Sequence, residues 1–405
     1  MKVLVVSQYY PPENVPIPAA VPRYLSEHGH TVRVLTGYPN YPDGRVFPGY
    51  RQRWRSHQVE DGIDILRVPL FTDHSQRAGA RFLNYVLFGL SAASAGWAVR
   101  GADVIYVYAT QMTPALGPWL WRVTGGAPYV LHVQDLWPDS VSGSSLVGSP
   151  GARRAVASLL NPWLASVYRR AAAVVGIAPT MVRTLVQRGV AEDKVHLVYN
   201  WAEENGPVKD KDVPSLSDPC TTRVLYAGNV GDMQNVEVAV RAAHQARDAG
   251  VRLTIVGDGV ALPKVRALAA SLGADNVEFH GRMTADRVGE FHRQSDFALV
   301  SLKDLPVFRG TIPSKLQTAL QQGVPVITTV QGDLRAIVEE FDLGFTADAD
   351  SPAALEAAFR AAAACTAVER SALGERAKSV YHTQFSRASA LSSIEAILVE
   401  AGTSG

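Results

Sequence analysis

The sequence predicts an α/β protein made of two doubly wound, mainly parallel sheets. Short apolar runs typical of buried strands alternate with helical segments along the chain, which indicates βαβ units. The length of 405 residues exceeds what one hydrophobic core usually holds. A stretch rich in proline, charge and serine runs from residue 200 to residue 222 and is typical of a linker. We therefore predict one domain over residues 1–200 and a second over residues 201–384, with residues 385–405 forming an amphipathic helix that crosses back to the first domain.

Composition narrows the class of protein. A hydrophobic fraction of 47% with 19% charged residues is ordinary for a globular chain and argues against disorder. The two cysteines form no disulfide framework and no metal-ligand cluster. The N-terminal residues enter a strand-like run without a signal-peptide cleavage pattern, so we expect a cytoplasmic protein.

Charge is divided unevenly between the two halves. Residues 1–200 hold 19 Lys and Arg against 12 Asp and Glu, whereas residues 201–405 hold 20 against 26. A basic N-terminal half favours an anionic partner such as a membrane surface, with chance asymmetry as the alternative. No basic run interleaved with aromatic residues occurs, so nucleic acid is not expected.

The first half begins with a strand, a proline-rich loop, a helix and a second strand. The strand Val3–Ser7, the helix Ala19–His28 and the strand Thr31–Thr36 form the opening unit. Ligands of such sheets bind at the carboxyl ends of the strands. The first loop has no G-x-G-x-x-G pattern, so a dinucleotide is not expected. Further strands are predicted at Ile63–Val68, Val104–Tyr108, Tyr129–Val133, Val174–Ile177 and Val195–Tyr199.

Two segments of this half suggest contacts with a ligand or a membrane. Phe82 to Val99 has no charged residue over 18 positions, but a membrane span needs about 20 mostly apolar residues. We predict a helix on the N-terminal domain with a face open to lipid, and keep a span as the alternative. The end of the strand Tyr129–Val133 and the residues after it carry His132 and two aspartates, Asp135 and Asp139, which make it the most reactive-looking point of this half. A structural histidine is the alternative.

The second half places glycine-containing loops after several strands. The predicted strands are Val224–Ala227, Leu253–Val256, Val277–His280, Phe297–Leu302 and Val324–Thr329. A short helix precedes the last of them, with Pro313, Ser314 and Lys315 in its first turn and Gly323 as its end. A helix N-terminus favours phosphate, and Lys315 adds a full charge. Ser314, Gln317 and Gln321 are predicted to form a polar edge, and an ordinary α/β connection is the alternative.

Several motifs in order along the chain resemble one family. They include Gln8-Tyr-Tyr-Pro-Pro-Glu13, Gln134-Asp-Leu-Trp-Pro-Asp-Ser140, Tyr226-Ala-Gly-Asn-Val-Gly231 and Ile312-Pro-Ser-Lys315. In these the chain resembles the GT-B glycosyltransferases of the large retaining family 4. Within that family it looks most like the bacterial N-acetylfucosamine-transferase-like group of surface-polysaccharide assembly.

The resemblance implies two Rossmann-like domains facing a central cleft and a metal-independent transfer with retention. The donor would be a sugar nucleotide, with uridine diphosphate (UDP) preferred and guanosine diphosphate (GDP) as the competitor, and no other cofactor is implied. The acceptor would be a lipid-linked glycan, such as a polyprenyl-diphosphate-linked one, or a small molecule. The first of these would place the protein at the inner face of the cell membrane as a peripheral protein.

The resemblance also implies the site residues. Three residues are assigned to catalysis: His132, Asp135 and Arg309. The donor-binding residues are Gly228, Asn229, Gln234, Gly257, Arg282, Met283, Ser314, Lys315 and Gln317. The acceptor-side residues are Tyr10, Asn14, Tyr38, Asn40 and Tyr41. No metal ligand is implied.

The chain departs from the family at the paired glutamates, which should fall eight positions apart at residues 309 and 317. Arg309 and Gln317 stand there. An amide can still bond a ribose hydroxyl, but a guanidinium cannot accept a hydrogen bond. Arg309 could neutralise the diphosphate, recognise an acidic sugar, or mark a weakened site in a nucleotide-sugar-binding protein or partner subunit. A sugar-nucleotide 2-epimerase is a further, less favoured alternative.

Overall fold

The computed structural model describes residues 1–72, 78–137, 150–201 and 221–403. The predicted linker lies almost entirely outside these ranges, as does the end of the motif that begins at Gln134. By its internal contacts the chain divides into two compact units, Met1–Asn200 with Leu391–Gly405 and Trp201–Ala390. We call these the first unit and the second unit.

In its described part, the first unit is built on eight strands, which are Lys2–Ser7, Thr31–Gly37, Ser56–Glu60, Ile63–Val68, Val104–Ala109, Tyr129–Val133, Ala173–Gly176 and Val195–Leu197 (β1–β8). They form one sheet in the order β3-β4-β2-β1-β5-β6-β7-β8. All pairings are parallel except β3 with β4, which is a hairpin. The strand β3 was not predicted, because its mainly polar residues show no apolar alternation and lie at the sheet edge. The Asp61-Gly62 turn signal could have revealed it, since both residues adopt the positive φ of a tight hairpin.

The uncharged run predicted as one helix over Phe82–Val99 forms two shorter elements. The helix ends at Ala93, and a 3₁₀ turn covers Gly96–Val99. The indole N–H of Trp121 donates to the carbonyl of Ala93 at 3.2 Å, which satisfies a group at the helix end. No helix of the described residues is long and apolar enough to cross a membrane. The helices of this unit are Pro16–Glu27, Ala78–Ala93, Leu116–Val123, Pro150–Arg170 and Pro179–Gln187 (α1–α5).

The second unit has six described strands, which are Thr222–Ala227, Val251–Val256, Val277–Gly281, Phe297–Val300, Val326–Thr328 and Gly344–Thr346 (β9–β14). They form a parallel sheet in the order β11-β10-β9-β12-β13-β14. The strand β14, which has three residues, was not predicted. The helices are Val236–Gln245, Leu262–Leu272, Ala285–Arg293, Ser314–Gln321, Asp333–Glu340, Pro352–Ala364 and Ala367–Val380 (α6–α12).

The core of the second unit lies between this sheet and its helices. Tyr226, Ile255, Phe297 and Phe359 are at most 1% exposed. Burying one such side chain contributes about 1.5–3 kcal/mol, so the helices remain on the sheet through their apolar faces.

The last helix, Arg387–Thr403 (α13), crosses back to the first unit, as predicted. Leu391, Ile394 and Leu398 form a buried stripe at helical spacing. Glu395 accepts a hydrogen bond from the Tyr24 hydroxyl at 3.1 Å and lies 2.9 Å from Nε2 of His30. This polar contact fixes the helix to the first unit.

Candidate active site

In the second unit, the loops at the carboxyl ends of β9 and β10 bring glycine backbone to the surface beside the exposed side chains of Asn229 and Asp258. Gly228, Gly257 and Gly259 have φ values of 137°, 145° and 157°. A Cβ atom at Gly257 would lie 1.8 Å from the carbonyl oxygen of Gly228, and one at Gly259 would lie 2.3 Å from that of Val230. Only glycine fits such an approach of two loops. The loops therefore pack backbone against backbone, and we call this glycine-lined edge, formed by Gly228, Gly257 and Gly259, the cradle.

Lys315 lies over this cradle. Its Cε atom stands 2.7 Å from the point where a Cβ of Gly228 would be, and its ammonium lies 5.2 Å from the ring centre of Tyr226. Burial lowers the pKa of the ammonium. No carboxylate of the described residues lies within ion-pair distance of it. Its charge is therefore available to an incoming anion.

The helix α9 that carries Lys315 forms where it was predicted, but two details differ. Pro313 is the residue before the helix, in an extended conformation, and not part of its first turn. Gln317 is 4% exposed, so it belongs to the interior and not to the polar edge predicted with Ser314 and Gln321. Leu320, three positions further along the helix, is fully buried, and helical positions i and i+3 lie on the same face. Ser314 is exposed at the helix N-terminus.

Asn229 and Gln234, both predicted to bind the donor, have different roles in the first loop of the second unit. Gln234 uses its side-chain oxygen to accept bonds from the backbone N–H of Gly231 and from the amide of Asn229, both at 3.1 Å. Gln234 therefore caps its own turn, while Asn229 remains exposed beside the cradle. The backbone carbonyl of Asn229 is held by the Tyr226 hydroxyl at 2.5 Å.

Arg282 and Met283 follow β11 and precede α8. Arg282 is exposed and Met283 is half-buried. The loop adjoins the cradle, because the N–H of Gly257 donates to the carbonyl of Gly281 at 2.7 Å. The structure therefore brings together the glycines, Lys315, Asn229 and this loop at one edge of the sheet.

Arg309 is engaged by a carboxylate that the sequence analysis missed. Its Nε and Nη2 atoms donate to the two oxygens of Asp304 at 3.0 and 2.9 Å. These bonds lower the pKa of Asp304 and raise that of Arg309, so both groups are charged at neutral pH. Nothing in the local pattern distinguishes Asp304 from other loop acids, because the pairing depends on how the loop turns.

In the first unit, His132 is a buried, neutral imidazole. It is 0% exposed, and its Nδ1 atom lies 2.6 Å from the Tyr106 hydroxyl. Burial lowers the pKa of His132 to about 3. Its Nε2 atom has no hydrogen-bond partner among the described residues. A neutral ring in this position can donate or accept a hydrogen bond but carries no charge at neutral pH.

Asp135 lies at the end of β6, three residues beyond His132. Its side chain is exposed, yet the surrounding protein displaces enough water to raise the pKa of its carboxyl. Tyr108 lies next to both, with its ring 5.8 Å from that of His132. The pKa of the Tyr108 phenol is raised, first by burial and then by the charge of Asp135.

Some of the predicted acceptor residues lie in the interior and others at the surface, and Glu13, whose role was not predicted, bonds the backbone of three of them. The buried carboxylate of Glu13 accepts backbone N–H bonds from Tyr10, Asn40 and Tyr41 at 3.1, 2.8 and 2.8 Å. Tyr10, Asn40 and Tyr38 are 5%, 5% and 2% exposed. Their side chains fill the interior beneath the loops, and their assignment to the acceptor side stays a prediction. Asn14 and Tyr41 are exposed.

A second buried charge supports these loops. Arg67 is 0% exposed and donates to the carbonyls of Gly37 and Pro11 at 2.9 and 2.5 Å. Its guanidinium also lies 5.2 Å from the ring centre of Tyr50. Burial lowers its pKa, while the charge of Glu13 is one of those that oppose the shift. The alternation of strand β4 alone could not distinguish this arginine from a surface one.

A chain of buried amides joins the same region. Gln111 donates to Gln8, Gln8 donates to Asn84, and Asn84 donates to the carbonyl of Phe71. The chain links the ends of β1 and β5 to α2. As for metal binding, the described residues contain no group of three or more His, Cys, Asp or Glu side chains placed to hold an ion.

Taken together, the open parallel sheets, one of which carries the glycine-lined edge with Lys315, define an α/β protein of the doubly wound class. Comparison with known families gives the particular class. Residues 20–201 match the glycosyl transferase 4-like domain, and residues 209–380 match glycosyl transferases group 1.

Individual relatives agree with these matches. The chain is 29% identical over 381 residues to the putative colanic acid biosynthesis glycosyl transferase WcaI of Escherichia coli K12, covering 89% of this chain and 92% of that protein. It is 23% identical over 243 residues to the probable glycosyltransferase WbjE of Pseudomonas aeruginosa, covering 58% and 60%.

Solved structures show the same fold. Sucrose-phosphate synthase of Thermosynechococcus elongatus superposes with a TM-score of 0.68 at 16% identity, covering 100% of both chains. Anabaena Alr3699/HepE, solved in complex with UDP, gives 0.66 at 14% identity, covering 99% of this chain and 100% of that one. The chain is a GT-B glycosyltransferase and belongs to family 4.

Proposed function

We propose that this glycosyltransferase moves a sugar, with retention and without a metal ion, from a nucleoside diphosphate to a lipid-linked glycan or a small molecule. The observation that carries the proposal is Lys315, which lies over the glycine cradle beside the N-terminus of α9. A diphosphate placed there would meet an ammonium, free helix N–H groups and close backbone.

The chemistry needs little more from the protein. The bond between the anomeric carbon and the diphosphate oxygen breaks, and the acceptor hydroxyl forms a new bond on the same face. The acceptor proton passes to the leaving diphosphate, whose charge Lys315 and the helix stabilise. Neutral His132 would orient the sugar as a hydrogen-bonding group, because a ring with a pKa of about 3 is a weak base.

We infer that UDP is the carrier, with GDP as the competitor. The support is the likeness to HepE, a protein solved with UDP and with UDP-glucose. Arg282 and Met283 would contact the base from the loop after β11. Asn229 would meet the phosphates.

A lipid-linked acceptor at the inner face of the cell membrane is the form we favour, and a small-molecule acceptor is the alternative. In support, α2 exposes Leu83 and Leu90 by 42% and 53%, and Trp54 is 63% exposed among Arg51, Arg53 and Arg55. Apolar side chains with neighbouring arginines suit an anionic lipid surface. Co-sedimentation with anionic vesicles tests this; no binding at low salt would favour the small molecule.

A second candidate is a nucleotide-sugar-binding protein or partner subunit with weakened catalysis. It is favoured by the replacement of both expected glutamates, with Arg309 held by Asp304 and Gln317 buried.

One experiment separates the two candidates. The protein is incubated with UDP- and GDP-sugars, and the released diphosphate and the shift in melting temperature are both measured. Slow hydrolysis with one base supports the transferase. Nucleotide-dependent stabilisation without hydrolysis of any donor supports the binding protein, and the absence of both effects contradicts both functions.

A further inference from the structure

The Asp304–Arg309 pair lies in the loop between β12 and α9, which is fixed at several points. The Ser301 hydroxyl donates to the carbonyl of Gln234 at 2.7 Å, and the N–H of Lys303 donates to that of Met233 at 2.9 Å. At the other end, the carbonyl of Arg309 accepts the N–H of Asp333 at 2.8 Å. The backbone that carries the pair is therefore held beside the first loop of the cradle.

Arg309 keeps free N–H donors, and Asp304 keeps free acceptor positions. Two of the five N–H donors of the guanidinium are used by Asp304, which leaves three. Each carboxylate oxygen receives one of these bonds, so each keeps a further acceptor position. The side chains of Arg309 and Asp304 are 57% and 32% exposed, so a ligand can reach both.

The charges of the pair cancel. A second anion would gain little from a guanidinium already paired with a carboxylate, and the carboxylate itself would repel it. A sugar hydroxyl meets no such opposition, since it can donate to Asp304 and accept from Arg309. The hydrogen-bond acceptor that Arg309 cannot provide is then supplied by Asp304.

We propose that Asp304 and Arg309 act as one neutral unit that binds hydroxyl groups of the donor sugar, and that Asp304 makes the enzyme select neutral over uronic acid donors. This rests on the proposed function and names the class of its donor. The diphosphate is left to Lys315 and the helix. Asp304 is a specificity-determining residue that excludes acidic sugars by occupying the cation they would need.

The test uses donors that differ only at C6: UDP-glucose against UDP-glucuronate, and UDP-galactose against UDP-galacturonate. If the nucleotide panel selects guanine, the pair is GDP-mannose and GDP-mannuronate. Affinity and hydrolysis are measured for the wild type, Asp304→Asn, Asp304→Ala and Arg309→Gln. The wild type should favour the neutral donor of each pair by about tenfold or more.

Removing the carboxylate should invert this preference. In Asp304→Ala and Asp304→Asn, turnover of the neutral donor falls about tenfold through the lost charged hydrogen bond, while binding of the uronate rises because Arg309 is released. Arg309→Gln should lower both. Affinity for UDP alone should stay within about twofold, because the nucleotide lies elsewhere.

The matched control is Asp248→Ala, which breaks another two-bonded Asp–Arg pair of the same unit, that of Asp248 with Arg360. It should leave the ratio unchanged. A wild-type preference for uronates, or an unchanged ratio in both Asp304 variants that still bind UDP, overturns the proposal. Failure of the wild type to bind any nucleotide contradicts the proposed function instead, and the inference falls with it.

Discussion

The two units have related sheets, but different groups stand at the carboxyl ends of their strands: glycine backbone in the second unit and buried polar side chains in the first. In the second unit these ends carry Gly228, Gly257 and Gly259, so that glycine backbone and Lys315 form part of the surface. In the first unit they carry buried polar side chains, with Glu13 and Arg67 holding the loops from below. A backbone surface suits a ligand part that never varies, such as a diphosphate. Loops held by side chains allow the exposed residues, here Asn14 and Tyr41, to change without loss of the support.

The largest expected effect tests the backbone surface. Gly257→Ala would place a Cβ atom 1.8 Å from the carbonyl oxygen of Gly228, at a φ of 145°. We expect a loss of about 4 kcal/mol in the free energy of unfolding, measured in urea, because backbone on both sides must move. Gly273→Ala is the control: it also has a positive φ but open space around it, so it should lose only about 1 kcal/mol. Equal losses would show that the close approach of the loops is unimportant.

The next effect concerns the cation of the cradle. Lys315→Met keeps the bulk of the side chain and removes its charge. We expect donor turnover to fall about 10²–10³-fold, because in the proposed reaction this charge would stabilise the leaving diphosphate. Lys264→Met, at an exposed lysine paired with Glu237, is the control. Turnover within a factor of two of the wild type in Lys315→Met would remove this lysine from the reaction.

The support of the first unit gives a smaller effect. Glu13→Ala leaves three buried N–H groups without their acceptor, and we expect a loss of about 2–3 kcal/mol in unfolding free energy. Glu13→Gln retains the oxygen that serves Asn40 and Tyr41, so it should lose about half as much. Affinity for UDP should be unchanged in both variants, since the proposed nucleotide site is in the second unit. Weakened UDP binding in Glu13→Gln would contradict the division of roles.

The smallest effect compares the buried histidines of the two units by their pH dependence. Burial lowers the pKa of His132 to about 3 and that of His292 to about 4, below the ordinary value of 6.5. As pH falls below 6.5 the unfolded chain gains a proton at each histidine that the folded one does not. Each therefore removes about 1.4 kcal/mol of stability per pH unit, until the pH reaches its folded pKa.

Urea unfolding at pH 7, 6 and 5 measures this slope. His132→Gln and His292→Gln should each flatten it by the contribution of one proton. A slope unchanged in either variant would mean that the folded state takes up the proton at that histidine.

The candidate site was predictable from the sequence where neighbours along the chain decide the outcome. The strand ends, the start of α9 and the place of Lys315 follow from local apolar spacing and from proline and glycine. The buried positions of Tyr10, Tyr38 and Asn40 did not follow, because their loop residues look polar and exposed. The backbone N–H groups of Tyr10 and Asn40 are held by Glu13, which lies 27 residues from Asn40 in the chain.

The sequence by itself therefore determined the βαβ order, the return of the last helix, the glycine loops and the lysine-bearing helix. These depend on periodicity and on backbone conformations that a residue brings with it. The tertiary structure decided which polar groups are spent within the protein and which remain for a ligand. Asp304 and Arg309 show this at short range. They are only five residues apart, yet their pairing depends on a loop whose course is held by bonds to Gln234 and Asp333.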